Sequence, residues 1–172
     1  AMEVGLEKIW DLTEERSMPR ILFVNKMDKE NADFFHLMDE CAEKLHGARV
    51  IPVQIPIGTA ETFQGVVDLV GQKAYTFDAK GQTQETAIPA DILDAVATWR
   101  EKLTEEAAEA DDALTEKYLE TMELSDEEIR DGLTRRIKAG GLVPAFCGSS
   151  TNLKGVCLVM DAIQEYIPAP TA

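Results

Sequence analysis

The chain has 172 residues, room for one ordinary domain or two small ones, and 45% hydrophobic with 28% charged residues is enough for a packed core, which excludes wholesale disorder. Its 17 basic against 32 acidic side chains leave a net charge of -15, so no direct nucleic-acid contact is expected and a basic partner fits better. No segment is apolar for long enough to span a bilayer, and Ala1-Met2-Glu3-Val4 lacks the basic-then-apolar order of a signal peptide; a cytoplasmic chain with no membrane partner is expected.

Leu6, Ile9, Trp10 and Thr13 recur at helical spacing and predict a helix over 3–16 with that face against a core. After Pro19, the run Ile21-Leu22-Phe23-Val24 reads as a strand covered on both faces in a parallel sheet. Phe34, Leu37, Met38, Cys41 and Leu45 then form one helical stripe that Gly47 stops. The middle changes grammar. Val50 to Ile57, Val66 to Val70 and Ala74 to Phe77 read as strands parted by glycines, with Asp78-Ala79-Lys80-Gly81 turning into a short strand near Ile88. Beyond Pro89, Ile92, Val96, Trp99 and Leu103 mark a helix. An acidic stretch follows, then Ser125-x-x-Glu128 as a capping box for a helix carrying Ile129, Leu133 and Ile137. Leu142 to Cys147 is a further strand, and Val156, Val159, Met160 and Ile163 mark a last helix closed by Pro168 and Pro170. The expected organisation is an α/β unit, 1–48 and 142–172, interrupted by an α+β insert, 49–141.

Cys41, Cys147 and Cys157 are odd in number and have no C-x-x-C spacing, so buried reduced thiols are expected, with neither disulfides nor a metal site. His36 and His46 are too isolated for a metal pair and are read as surface helix residues. No Gly-x-Ser-x-Gly elbow or Ser-His-Asp order is present, and no catalytic residue is assigned.

Asn25-Lys26-Met27-Asp28 falls just past the carboxyl end of the first strand, where open α/β sheets bind ligands. A carboxylate there can accept two parallel hydrogen bonds from N1-H and the 2-amino group of guanine. Adenine has neither donor and would leave Asp28 unpaired, at a cost of about 1–3 kcal/mol. The Lys26 stem can lie flat on a base, and the Asn25 amide can reach the base edge or tie neighbouring loops together. The plainer reading of N-K-x-D is a polar turn after a strand. A second loop, Cys147-Gly148-Ser149-Ser150, also follows a strand, and Gly148 would let a backbone N–H approach the base oxygen. Two such loops at neighbouring strand ends favour a guanine pocket.

The stretch from Glu3 to Phe34, including Pro19 to Asp28, resembles the later half of the GTP-binding domain of bacterial elongation factor G. Gln54-Ile55-Pro56-Ile57-Gly58, Phe63 to Leu69 and Glu116 to Glu120 are similar to the insert subdomain of that family, and Cys147 to Ser150, Lys154-Gly155-Val156 and Ile167 to Pro170 to its fifth motif and closing helix. The resemblance spans essentially the whole chain. It implies part of a P-loop GTPase doubly wound sheet, GTP or GDP as ligand, Asn25, Lys26, Asp28, Ser149 and Ser150 at the base, and a role in ribosomal translocation for the intact protein. Ser150 replaces the usual Ala of the family, where the contact is a backbone N–H. Lys138 to Pro144 resembles the paralogous elongation-factor-G-like proteins more than the translocase, and that distinction stays open.

No Gly-Lys dipeptide exists in the chain, so the phosphate-binding loop G-x-x-x-x-G-K-[ST] is missing, and with it the expectation of hydrolysis by this polypeptide. A fragment beginning after the second switch is expected, with Mg only in the intact protein. Asp68 to Gly71 and Asp78 to Gly81 match the magnesium-side Asp-x-x-Gly pattern, but they follow Asn25 in the chain and fit better as strand turns. Between Glu101 and Glu128 stand 12 acidic residues against Lys102 and Lys117. That stretch is read as a solvated helical face or as a docking surface for a basic partner. The resemblance implies the ribosomal stalk protein. Arg135, Arg136 and Lys138 are read as answering a helix dipole.

Overall fold

The computed structural model describes residues 4–169. Ala1, Met2, Glu3 and Pro170, on which the readings of the first residues, the first helix start and the closing prolines partly rest, lie outside them. The described chain forms a three-stranded parallel sheet, ordered β1-β7-β2, and a four-stranded antiparallel sheet, ordered β3-β4-β5-β6. Helix α1 (Val4–Glu14), β1 (Leu22–Val24), α2 (Phe34–Lys44) and β2 (Arg49–Pro52) come first. The antiparallel strands β3 (Gln54–Ile57), β4 (Gly65–Asp68), β5 (Lys73–Phe77) and β6 (Thr83–Thr86) follow, then α3 (Leu93–Ala108), α4 (Asp112–Thr121) and α5 (Asp126–Lys138). The chain returns to the first sheet as β7 (Leu142–Cys147) and ends in α6 (Val156–Tyr166). This is an α/β fold interrupted by an α+β insert.

Strand β7 is the spine of the parallel sheet, and all six of its residues are buried. Its proline is tolerated for a geometric reason. Gly148 N–H donates to Val24 O, so every second residue before it, Phe146 and Pro144, also faces β1. The register begins at Leu22 opposite Ala145, which puts the missing N–H of Pro144 just before β1 starts.

The apolar run 50–57, which reads as one strand, is two. Val53 N–H donates to Ala145 O of β7, while its carbonyl accepts from Leu69 N beside β4. One residue thus hands the chain from one sheet to the other. Strand β2 pairs with β7, so the parallel sheet extends past the boundary drawn at 48/49 as far as Pro52.

Strand β1 is not covered on both faces. It pairs on one side only, and of its three residues Val24 alone is buried. Helix α1 is held through Trp10, whose indole N–H donates to His46 O at 2.9 Å and whose ring lies 4.4 Å from the Arg20 guanidinium. Ile9, expected on the same buried face, is 62% exposed. Helix α6 likewise turns Ala162 and Tyr166 inward and leaves Met160 and Ile163 exposed. Periodicity marks the helices, but which stripe is covered depends on what lies beside them.

Within the insert, α3 and α5 cross so closely that a Cβ on Gly132 would stand 2.3 Å from Ala107 O. The Ser125 and Glu128 capping box opens α5, with bonds of 3.2 and 2.8 Å. The acidic stretch contains a helix that no periodicity announces: α4, capped by Asp111 on Leu114 N and seated by Leu114 and Tyr118. Strand β6 ends at Thr86, short of Ile88. Cys41 and Cys147 are buried, and burial pushes the Cys41 thiol up to about 11 and that of Cys147 higher still. Cys157, by contrast, is exposed. His36 and His46 are exposed, His46 beyond the end of α2.

Candidate functional site

The two loops picked out by sequence leave adjacent parallel strands, β1 and β7, at their carboxyl ends, and they are hydrogen-bonded to each other. Asn25 is the tie. Its Oδ1 accepts from Lys26 N at 2.8 Å and from Ser150 N at 2.9 Å, and its Nδ2 donates to Ser150 Oγ at 2.9 Å. Met27 N–H donates to Gly148 O at 3.0 Å, and the Met27 side chain is buried. Lys26 takes a left-handed φ of 63°, a conformation costly for a residue with a Cβ and found where surrounding structure enforces it.

Asp28 has two unequal oxygens. Oδ2 accepts from Asn152 Nδ2 at 3.0 Å and lies 3.5 Å from Lys29 Nζ. Oδ1 and the Ser149 hydroxyl are both withdrawn from solvent. That hydroxyl is the largest of the influences holding the Asp28 carboxyl below the ordinary carboxylate range, ahead of burial, which raises it, and of Lys29. The Asp28 side chain as a whole keeps 14% exposure, so its carboxylate edge can be approached while the second loop holds it in place.

Gly148 serves otherwise than expected. Its N–H is spent on Val24 O, and Ser149 N–H on Lys154 O, so neither is offered to a base oxygen. Glycine is needed there for space: a Cβ would lie 2.3 Å from Lys154 O and 2.9 Å from the Phe23 ring. Asn152, which orients Asp28, carries no mark in the sequence beyond being an Asn in a loop. A cleft of about 570 Å³ beside the first loop is lined by Asn25, Lys26 and Met27 with residues of α1 and α2, while Asp28, Ser149 and Ser150 lie outside it.

A family model described as the elongation factor Tu GTP binding domain matches residues 2–169. The chain belongs to that family. It is also similar to a protein of Thermus thermophilus known from a crystal structure, with a TM-score of 0.87 and 27% identity over 99% of this chain and 25% of that one. It thus spans a quarter of the length of that protein. The family is one of GTP-binding domains. No group of three or more His, Cys, Asp or Glu that could hold a metal ion forms among the described residues. No described helix is long and apolar enough to cross a membrane.

Proposed function

We propose that the chain is the guanine-recognition part, with its insert, of a translational GTPase of the elongation factor G family, which in its intact form couples GTP hydrolysis to movement on the ribosome. The tying of the two strand-end loops through Asn25, with a partly exposed Asp28 oriented from the second loop, carries this reading. Guanine supplies two donors on one edge, N1-H for one carboxylate oxygen and the 2-amino group toward the other, and adenine supplies neither. Leaving Asp28 unpaired costs an adenine nucleotide about 1–3 kcal/mol, or about 5–150-fold in affinity. Asn25 fixes the two loops at a common spacing, the Lys26 stem flanks the base, and Ser149 and Ser150 form the opposing wall. Phosphate binding and hydrolysis need a phosphate loop, and the sequence has none.

Titration of the chain with GDP and with ADP, followed by backbone amide shifts, tests this. Saturable shifts confined to 25–28 and 148–152 with GDP alone are expected. Equal responses to both nucleotides would refute guanine recognition.

A second reading, an interaction module for a basic partner such as the ribosomal stalk protein, draws on α4. Leu119 is 71% and Met122 60% exposed, amid exposed Glu116, Glu120 and Glu123. An apolar strip inside an acidic field suits a basic amphipathic surface. Part of the acidic count is spent internally, since buried Glu106 pairs with Arg49 and Arg136, both at 2.7 Å, and Asp111 pairs with Arg135. Arg135 and Arg136 are thus ion-pair partners as well as helix-end charges. Binding of a basic partner that survives Asp28→Asn would separate this reading from the first.

A further inference from the structure

Both base loops are held from the insert side by the same short turn. Thr59 Oγ1 donates to Ala32 O at 2.7 Å, and Ala60 N–H donates to Met27 O at 3.0 Å. These two bonds grip the segment that carries Asn25 and Asp28. Four residues on, Phe63 O accepts from Lys154 Nζ at 3.0 Å, and the ammonium lies 5.8 Å from the Phe63 ring centroid. Lys154 in turn is bound through its backbone to Ser149 in both directions, at 2.9 and 3.0 Å. The Lys154 side chain is therefore a hydrogen-bonded link from the second loop to the insert.

The turn is shaped for this work. Gly58 has φ +77°, and a Cβ there would meet Thr62 O at 2.1 Å. Ala60 is left-handed at φ 50°, a cost of order 1–3 kcal/mol borne only where the surroundings fix it. Thr62 Oγ1 accepts from Thr59 N and donates to Thr59 O, which closes the turn on itself. Phe63, whose carbonyl takes the ammonium, is buried. A second insert turn touches the same loop, where a Cβ on Gly81 would stand 2.6 Å from Leu153 O.

We propose that Lys154 is a positioning residue that, with the turn 59–63, sets the Ser149–Ser150 loop against the Asn25–Asp28 loop, so that the placement of the insert governs affinity for the base. A charged donor on a carbonyl, over an aromatic ring and half-withdrawn from water, is a strong and directional link. A movement of the 59–63 turn has to carry Met27 and Ser149 with it or break these bonds. The nucleotide arm of this proposal rests on guanine recognition; the link between loops does not.

Two experiments on the whole chain decide it. In hydrogen exchange without nucleotide, Lys154→Met is expected to lower protection of the Ser149, Ser150 and Ala60 amides by about tenfold, the value of one charged hydrogen bond. Protection along β7 stays unchanged, and Lys154→Arg keeps the native pattern. Unchanged protection in Lys154→Met, or equal loss along β7, overturns the positioning role. In the GDP titration, Lys154→Met is expected to weaken binding by about tenfold and Lys154→Arg to restore it. Native GDP affinity in Lys154→Met, with its loop protection lost, overturns the control of affinity. If the native chain gives no GDP response while the exchange result holds, guanine recognition fails and the link between the loops stands.

Discussion

Asp28, in the turn beyond β1, and Asp68, at the end of β4, spend their oxygens differently. Asp68, in the insert, accepts from Val70 N on Oδ1 at 3.0 Å and from Gly71 N on Oδ2 at 3.2 Å. Its own turn uses up the carboxylate. Asp28 takes its support from another loop, accepting from Asn152 on one oxygen and answering to the Ser149 hydroxyl. The two also titrate in opposite senses: burial raises Asp68, while Asp28 is lowered, chiefly by the Ser149 hydroxyl. An aspartate whose acceptors are consumed locally builds a turn. Asp28 is instead oriented from another loop, and this separates the Asn25 motif from the two Asp-x-x-Gly stretches, since Asp78, like Asp68, accepts from amides of its own turn, Lys80 N and Gln82 N, both on Oδ1.

The comparison breaks most readily at the glycines of the two turns. Gly148→Ala forces a Cβ against the Lys154 backbone and the Phe23 ring, and a loss of about 2–3 kcal/mol is expected in the denaturant midpoint. At Gly71 the nearest atom is the Asp68 carboxylate tip, at 2.9 Å, which can shift, so Gly71→Ala is expected to cost about 1 kcal/mol or less. Next, Asp28→Asn is expected to weaken GDP binding by about 10–100-fold while stability changes by less than about 1 kcal/mol, read by titration and chemical denaturation together. A smaller effect belongs to the insert alone. Ser125→Ala removes the capping box of α5 and is expected to cost about 1 kcal/mol of stability without altering the GDP response.

The smallest effect is the pH dependence, and its sign differs between the two aspartates. The stability contributed by lowered Asp28 is present above the unfolded value of 3.8 and is lost as pH falls through its folded value. Asp68 has a raised folded value, so its ionised form costs stability, and that cost is relieved as pH falls toward 3.8. Arg130, which lowers it, and Glu165, which raises it, are the charges acting on Asp68. Carboxyl-carbon NMR should place the Asp28 midpoint below 3.8 and that of Asp68 above it.

The pairing of the two strand-end loops was legible because their signals are local. An apolar run ends in Asn25, a second ends at Gly148, and chemistry at strand ends does the rest. The architecture was legible for a similar reason, since strand and helix periods alternate with glycine and proline stops. What escaped is set by distant neighbours. Nothing in Val50 to Ile57 marks Val53 as the residue that serves two sheets. The exposure of Ile9, Met160 and Ile163 depends on what flanks their helices. Helix α4 hides because only Leu114 and Tyr118 in it are buried, too few to make a period. Asn152 and Lys154 act on atoms brought near by the fold, and their residue types announce no such role.

The central claim is that Asp28 meets the base, and its side-chain carboxyl carbon reports that contact directly. Followed through titrations with GDP and ADP, the Asp28 carboxyl signal is predicted to shift saturably with GDP and to stay in place with ADP. Saturation by GDP elsewhere in the chain, with the Asp28 carboxyl unmoved, would contradict the account.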